Sequence, residues 1–281
     1  MTLSLPLLLA GTQFACKAPV EAPAEFGELT LYLYENFDGE GEDGDDALIA
    51  GMDQMAAYLA EQGMEPDTDV DDRAVTPPTL PYARLGKATH PDTAEESAQW
   101  PVTVSAVVEY TMDQQIPLIV DENQVCIASD TTKYHAQTFP GGDADAFASR
   151  EQERVASDNE VFLDTFGGDA WMDIQKEYAW VTLSDGREAI IQKGWMPEVA
   201  PAIDSDDTSW DQRFELQVWI PEEGSDRVLR SYSLWSSITS SVGEDLYKTS
   251  VKNGLDEYYE NSGAFIDGDL CDDRDNPYDR E

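Results

Sequence analysis

One segment of this sequence, Lys176–Trp195, constrains the fold more strongly than any other. It reads KEYAWVTLSDGREAIIQKGW and contains two β-prone runs on either side of Ser184–Arg187. The Asp-Gly pair inside that turn suits the positive φ angles of a tight hairpin. A second pair of runs, RFELQVWI and RVLRSYSLWSS, flanks a longer turn around Gly224. Two consecutive hairpins predict an antiparallel sheet whose strands follow one another along the chain.

Two more strand-like segments precede these hairpins. VTVSAVVEYTM, which begins at Val102, predicts a strand, and QVCIASDTTKYHAQTF, which begins at Gln124, predicts one strand or a pair. The stretch GGDADAFASREQERVASDN predicts an acidic helical or loop insertion. In the second hairpin Trp219 faces away from Val218, because side chains alternate along a strand. Both sheet faces are therefore apolar, and the second needs the N-terminal unit, a ligand or a partner protein as cover.

The segment after the last strand predicts an amphipathic helix. It reads GEDLYKTSVKNGLDEYYENSG and has two acids at its N-terminus, where the helix dipole favours them. Its apolar stripe consists of Leu246, Tyr247, Val251, Leu255, Tyr258 and Tyr259. A meander of antiparallel strands closed by one helix predicts an α+β fold, with the helix across one face of the sheet.

This order of elements, over residues 101–266, resembles that of helix-grip, START-like domains. Such domains fold a curved antiparallel sheet around a long C-terminal helix and often hold an apolar ligand between the two. The resemblance therefore implies a curved sheet here, and it favours a carrier of a small apolar ligand as one function of the chain.

The N-terminal part of the chain predicts a strand followed by a helix. In ELTLYLYENF, Leu29, Leu31 and Leu33 alternate with polar or aromatic residues, which indicates a half-buried strand. DALIAGMDQMAAYLAEQG has apolar residues at helical spacing, with an aspartate as N-cap and Gly63 at its end. Two elements are too few to bury a core alone, so we expect a strand-helix unit over 26–64 that docks on the main domain.

Composition divides the chain into six segments. In chain order they are a signal-like segment (1–16), a tether (17–25), the strand-helix unit (26–64), a proline-rich linker (65–101), the main α+β domain (102–266) and an acidic tail (267–281). The linker is assigned because its prolines are not accompanied by any periodic apolar pattern.

The first residues predict export. LSLPLLLA is an apolar run of the length found in secretory signals and is well short of a bilayer-spanning helix. GTQFAC, which ends at Cys16, resembles the end of a bacterial lipoprotein signal, in which a small residue precedes a cysteine that is acylated. Gln13 stands where such signals prefer leucine, and no Lys or Arg precedes the apolar run. The resemblance implies lipidation of Cys16 and anchoring at a membrane of the cell envelope, with KAPVEAPA as an extended tether.

The two other cysteines, Cys126 and Cys271, are an even number in a compartment that permits disulfides. They either form one disulfide or remain two separate buried thiols, and we expect the disulfide. Cys126 falls within a predicted strand, and Cys271 follows the C-terminal helix directly, so a bridge between them would hold the acidic tail against the sheet.

An excess of acidic residues runs along the whole chain. Asp and Glu number 58 against 17 Lys and Arg, which gives a formal net charge of −41. Nucleic acid is excluded as a partner, because binding its phosphates needs Lys or Arg to displace counterions. The even spread of the acids indicates a surface adapted to a saline environment, so we expect monovalent salt to stabilise the fold.

The sequence contains no recognised catalytic or nucleotide-binding motif, and its two histidines, His90 and His135, are not at metal-ligand spacing. We therefore expect no catalytic residues and no required cofactor. Calcium has two candidate sites, because the runs DGEGEDGDD, which begins at Asp38, and DGDLCDDRDN both concentrate the oxygen ligands that this cation prefers. The second run is favoured, and its aspartates are Asp267, Asp269, Asp272 and Asp273. A solvated acidic tail is the alternative interpretation.

Two functions remain. The first is an exported, lipid-tethered, non-enzymatic module that binds or interacts with another component of the cell envelope. The alternative is a carrier of a small apolar ligand in a helix-grip cavity. An apolar space between the sheet and the C-terminal helix would favour the carrier.

Overall fold

The structure is a computed structural model that describes residues 20–39, 41–64, 100–165 and 168–268. In chain order its elements are α1 (Phe26–Asn36), α2 (Gly41–Glu61), β1 (Trp100–Val108), α3 (Met112–Val120), a 3-10 turn (Gln124–Cys126), β2 (Thr132–Thr138), α4 (Ala144–Ala148), β3 (Arg154–Thr165), β4 (Gly168–Thr182), β5 (Glu188–Trp195), β6 (Ala200–Pro201), β7 (Ser209–Pro221), β8 (Val228–Thr239) and α5 (Glu244–Ile266). These elements confirm the predicted α+β class, with a large antiparallel sheet and a C-terminal helix.

Within the described residues, eight strands form one antiparallel sheet in the order β1-β8-β7-β5-β4-β3-β2, with the short β6 paired to β7. Both predicted hairpins are present, since β4 pairs with β5 and β7 pairs with β8. Gly186 (φ 89°) and Gly224 (φ 76°) lie in the left-handed region in the two turns, which most other residues adopt only with strain. The short connections therefore have the turn residues that they require.

One face of the sheet carries a packed apolar core beneath α1 and α2. Side chains of both helices meet every second residue of β7, including Phe214 and Leu216. Tyr34 of α1 lies edge-on to Phe214, with ring centroids 6.0 Å apart. Its hydroxyl donates a hydrogen bond to the carbonyl of Gly194 at 3.3 Å. The N-terminal unit is thus the cover that this apolar face requires.

This unit is a pair of helices, and the strand predicted over ELTLYLYENF is wrong. α1 packs against both α2 and the sheet and buries more than one stripe, so Leu29, Leu31 and Leu33 are all at most 2% exposed. A helix buried on several sides has apolar residues close together in sequence, and here they imitate the two-residue period of a strand. Gly51 of α2 permits the close approach, because a Cβ there would lie 2.6 Å from a methyl group of Leu33.

The predicted second helix is confirmed, but it starts earlier than expected. α2 begins at Gly41, ahead of the aspartate expected as its N-cap. Gly63 follows the helix with a φ of 60°, as expected for a glycine that ends a helix.

Polar contacts fix both N-terminal helices to the sheet. Asp53 of α2 accepts hydrogen bonds from the backbone N–H and the hydroxyl of Ser184, at 3.0 and 2.5 Å, in the β4–β5 turn. Lys193 of β5 forms an ion pair with Asp38, which follows α1, and its Nζ lies 4.9 Å from the ring centroid of Tyr34. The helices are therefore attached at a turn and near the middle of the sheet.

The opposite face of the sheet lies under α5, α3 and α4. Leu255 and Tyr259 of α5 pack on β1 and β8, while α3 and α4 pack around Trp219. The predicted amphipathic helix at the C-terminus is therefore confirmed, and it covers one face of the sheet as expected.

The segment QVCIASDTTKYHAQTF contributes one strand to the sheet. Its first residues form the 3-10 turn, and only Thr132–Thr138 pairs as β2, so the strand expected at Cys126 is wrong. Gln124 explains the turn, because its side-chain amide donates to the carbonyl of Leu118 at 2.9 Å and ties the turn to α3. The acidic insertion forms the short α4 and the beginning of β3.

Several predicted segments lie outside the described residues. These are the signal-like segment, most of the linker and nearly all of the acidic tail. The linker prediction overlaps the structure only at 100–101, which belong to β1. The remaining segment boundaries stay predictions. None of the described helices is long and apolar enough to cross a membrane.

Candidate ligand-binding cavity

A cavity of about 180 Å³ lies between the sheet and α5. Its walls are mostly aliphatic and aromatic. They include Trp100, Leu118, Ile127, Val161, Ile174, Trp210, Trp219, Leu234, Ile238, Val251 and Leu255. The cavity occupies the place in which the predicted layout puts a ligand, between the sheet and the C-terminal helix.

Strand alternation brings these side chains to one face of the sheet. In β4, Ile174, Lys176 and Tyr178 face the cavity, whereas Ala179 and Val181 belong to the core under α1 and α2. Successive side chains of a strand point to opposite faces, so the same strand supplies both layers. The cavity therefore lies on the face of the sheet that the N-terminal helices do not cover.

Hydrogen bonds hold α5 over the cavity. Near the start of the helix, the Tyr247 hydroxyl donates to Ser236 Oγ at 2.7 Å. Near its end, the Asn261 amide donates to the carbonyl of Ala128 at 2.8 Å. Leu246 lines the cavity although it is 52% exposed, so the cavity reaches solvent at the N-terminal end of α5. The predicted apolar stripe thus runs from the contacts with β1 and β8 to the cavity mouth.

A row of charged side chains crosses the middle of the cavity floor. Strands β4, β5 and β7 place Lys176, Gly194 and Glu215 side by side in register. Lys176 Nζ reaches over Gly194 to within 3.9 Å of Glu215 Oε2. Arg213 precedes Glu215 on the same face, and its Nε donates to Glu215 Oε1 at 2.6 Å. The Lys176 and Glu215 side chains are 8% and 0% exposed, so the row is buried.

The ionisation of this row follows from burial and from its neighbours. Burial alone raises the pKa of Glu215, but the charges of Arg213 and Lys176 outweigh it and hold this pKa at about 2, below the usual 4.5. Burial lowers the pKa of Lys176, and the negative charge of Glu215 opposes that shift. Burial also lowers the pKa of Arg213, but Glu215 outweighs burial and raises it overall. Glu215 and Arg213 therefore form a charged pair.

His135 is a neutral group in the β2 wall of the cavity. Burial, and then the charge of Lys176, lower its pKa from 6.5 to about 3, against the opposing hydrogen bond to Asn159. Its Nε2 lies 3.0 Å from Asn159 Oδ1, and Asn159 Nδ2 donates to Ser157 Oγ at 2.9 Å. Ser157 donates in turn to Gln137 Oε1 at 3.1 Å. This chain of hydrogen bonds fixes the imidazole in the wall.

A further buried cation, Arg230, packs among aromatic rings beyond the inner end of the cavity. It is 1% exposed, and its guanidinium carbon lies 4.6 Å from the ring centroid of Tyr259 and 5.5 Å from that of Trp219. Its Nη2 donates to the Tyr258 hydroxyl at 3.1 Å. Arg230 therefore ties α5 to the sheet, since a cation over a ring face is attracted to it.

The site residues that the sequence predicts do not line this cavity where they are described. Cys126 is buried in the 3-10 turn, and Cys16 and Cys271 lie outside the described residues, so lipidation and the disulfide stay predictions. Asp267 accepts a hydrogen bond from the Tyr110 hydroxyl at 3.0 Å. The other aspartates of the calcium site, and His90, lie outside the described part of the chain. Among the described residues no three acidic, His or Cys side chains are grouped to hold a metal.

Sequence reasoning missed the charged row in the cavity floor. A signal for it exists, because the cavity face of β4 places Lys176 between Ile174 and Tyr178, and that of β7 carries Arg213, Glu215 and Gln217 at alternate positions. Charged side chains are rarely buried unless they are paired. A charge on the apolar face of a predicted strand therefore indicates a partner or a site, but the pairing depends on the register of three strands.

The sequence matches no family model, and no curated protein is similar to it. Partial likenesses to solved structures are found. The STAR-related lipid transfer protein of Xanthomonas axonopodis is 10% identical, with 59% of this chain and 85% of that chain covered and a TM-score of 0.42. A START superfamily protein of Mycobacterium smegmatis is 9% identical, with 60% and 97% covered and a TM-score of 0.36.

A third likeness is to the lipid transfer and protein localization domain of human StarD13 (DLC2). It is 10% identical, with 61% of this chain and 77% of that chain covered and a TM-score of 0.32. All three chains are distant from this one in sequence and in structure. The chemistry of the cavity therefore has to be derived from its own residues.

Proposed function

We propose that the protein binds a small, largely apolar ligand in the cavity between the sheet and α5. The observation that carries this proposal is the space itself, because the opposite face of the same strands is packed with side chains. Protein interiors leave few voids larger than a water molecule, so a space of this size in an ordered sheet is a feature of the site. The carrier function is therefore favoured over the envelope-interaction module.

The size of the cavity limits the ligand. A dry apolar cavity of about 150 Å³ takes benzene, and pockets for drug-sized molecules begin at roughly 300 Å³. At about 180 Å³ this cavity suits a ligand with roughly eight carbon atoms in its enclosed part. A longer chain would extend past Leu246 to solvent. The ligand class is thus a compact or short-chain apolar molecule.

Calorimetric titration with 1-octanol tests this proposal. We expect saturable binding to the wild-type protein and loss of binding in Val251→Trp, whose indole would fill the space under α5. Asn253→Trp is the matched control, because Asn253 is exposed on the same helix and does not line the cavity. Unchanged binding in Val251→Trp would show that the cavity is not the ligand site.

The place of this binding protein in the cell is a second proposal, supported by the sequence. The apolar run and the Ala15-Cys16 pair favour export and lipidation, with the tether between the lipid and α1. In a bacterium that processes lipoproteins, the full chain is expected in the detergent phase after phase separation. Cys16→Ser should move it to the aqueous phase, and an unchanged distribution would rule lipidation out.

The disulfide between Cys126 and Cys271 also stands as a proposal. Its support is the even number of cysteines once Cys16 is set aside and the burial of Cys126 near the start of β2. Alkylation of the denatured but unreduced mature protein should modify neither cysteine. Two modified thiols in the mass spectrum would exclude the bridge.

A further inference from the structure

We propose that the ligand of this cavity is an apolar monoanion, such as a short-chain carboxylate, and that Lys176 binds its charged group. This inference rests on the proposed function, because it specifies the chemistry of a ligand in the same cavity. It is carried by the position of the Lys176 ammonium, by the charges around it and by the unpartnered amide of Gln192 beside it.

The Lys176 ammonium is buried in the cavity with few partners. Its side chain is 8% exposed, and its nearest carboxylate oxygen, Glu215 Oε2, lies 3.9 Å away, which is beyond hydrogen-bond distance. An ammonium has three donors, and among the described residues no acceptor lies within hydrogen-bond distance of this one. A buried charge is costly unless it is paired and hydrogen-bonded, so Lys176 needs an acceptor from within the cavity.

The charges that line the cavity leave a positive excess. Its charged side chains are Lys176, Arg213 and Glu215, so two cations face one carboxylate. Glu215 is engaged by Arg213 at 2.6 Å, much closer than by Lys176. His135 adds no charge near neutral pH, since its pKa is lowered to about 3. A single negative charge on the ligand would balance the cavity.

The amide of Gln192 occupies the place that the missing side chain of Gly194 leaves in this row. Gly194 separates Lys176 from Glu215 in the cross-strand row, and a Cβ there would lie 3.4 Å from Glu215 Oε2 and 2.7 Å from Gln192 Nε2. The amide of Gln192 is itself buried, and neither its nitrogen nor its oxygen has a hydrogen-bond partner. An amide donor without a hydrogen-bond partner therefore lies over Gly194, in the same cross-strand row as Lys176.

The walls around this row indicate the chemistry of the rest of the ligand. Trp210 and Ile238 lie on the mouth side of the charged row, and Trp219 lies on its inner side. Apolar contacts on both sides and one cation in the middle fit a hydrocarbon with a single anionic group. The strongly acidic surface repels anions, so recognition of this group has to come from the cavity itself.

Titration with octanoate and 1-octanol, which share a chain length and differ in charge, tests the inference. We expect the wild type at neutral pH to bind octanoate about tenfold or more tightly than octanol. Lys176→Met should lose this preference and retain octanol. Lys133→Met is the matched control, because Lys133 of β2 donates to the carbonyl of Asp130 and does not line the cavity.

The outcomes separate the two proposals. Equal binding of both probes by the wild type would overturn the anion inference and leave the apolar cavity intact as a ligand site, and this measurement needs no variant to fold. A preference for octanoate that survives in Lys176→Met, or that Lys133→Met also abolishes, would equally overturn it. Binding of neither probe would overturn the cavity proposal and this inference with it.

Discussion

The two faces of the central sheet differ although the same strands build them. In β7, Phe214 points into the core under α1 and α2, and its neighbour Glu215 points into the cavity under α5. Both side chains are 0% exposed. One face is packed for stability and the other keeps space and buried charge. Adjacent positions in one strand can therefore serve stability and binding independently.

The packed face gains its stability from aromatic contacts across elements. Tyr34 lies edge-on to both Phe214 and Trp235, with interplanar angles of 90° and 77°. Such pairs contribute about 0.5 to 1.5 kcal/mol beyond the area that they bury. The cavity face has less stabilisation from packing, because side chains beside a space have fewer atoms in contact.

Truncation of one leucine on each face should give the largest effect. Leu216 in the packed core and Leu234 beside the cavity are 2% and 3% exposed, so they are matched in residue type and burial. We expect Leu216→Ala to lower the free energy of unfolding by about 3 to 5 kcal/mol and Leu234→Ala by about 2 kcal/mol. Urea unfolding followed by circular dichroism measures both. Equal losses would contradict the difference between the faces.

Acid should destabilise the cavity face first. The pKa of His135 is about 3 in the folded protein against 6.5 for the free side chain, so the unfolded chain binds the proton first as the pH falls. The stabilisation that depends on the neutral histidine is fully present above about pH 6.5 and decreases as the pH falls towards 3. At pH 5 the free energy of unfolding is lower by at most about 2 kcal/mol. His135→Gln should flatten the stability profile in this window.

The contribution of Glu215 to stability changes over a lower pH range. Its folded pKa of about 2 lies below 4.5, so its contribution is present above pH 4.5 and is lost as the pH falls towards 2. Stability measured at intervals from pH 7 to about 5 thus isolates the histidine. A profile of His135→Gln identical to that of the wild type over this range would show that the histidine is not the group responsible.

Removal of the link between α2 and the β4–β5 turn should give the smallest effect. Asp53→Ala removes two hydrogen bonds to Ser184 at an exposed position, so we expect a loss of about 1 kcal/mol. Glu61→Ala is the control, because it removes the same charge from an exposed site on the same helix. Thermal unfolding of the two variants gives the comparison, and an equal shift in both would assign the effect to charge alone.

The sequence was most informative where local chemistry decides the structure. The Asp185-Gly186 pair fixes a hairpin by its own backbone preference, and the stripe from Leu246 to Tyr259 fixes a helix by its period. Both predictions are confirmed. The opposing directions of Trp219 and Val218 also predicted that both faces of the sheet would be covered.

The sequence-based predictions are wrong or incomplete where tertiary contacts decide the structure of a segment. Leu29, Leu31 and Leu33 are buried because α1 meets two neighbours, and no local pattern distinguishes this helix from a strand. The charged row depends on the register that places Lys176 next to Gly194 and Glu215 across three strands. Such a juxtaposition is a property of the assembled sheet, so the sequence could place a ligand between the sheet and the C-terminal helix but could not show that these three residues meet.

Gly194 belongs to both faces at once. Its missing side chain leaves room for the Gln192 amide on the cavity face, and its carbonyl accepts the hydrogen bond from Tyr34 of α1 on the other side. A sheet is one backbone layer thick, so a shift of the backbone at Gly194 would alter the charged row and the attachment of α1 together.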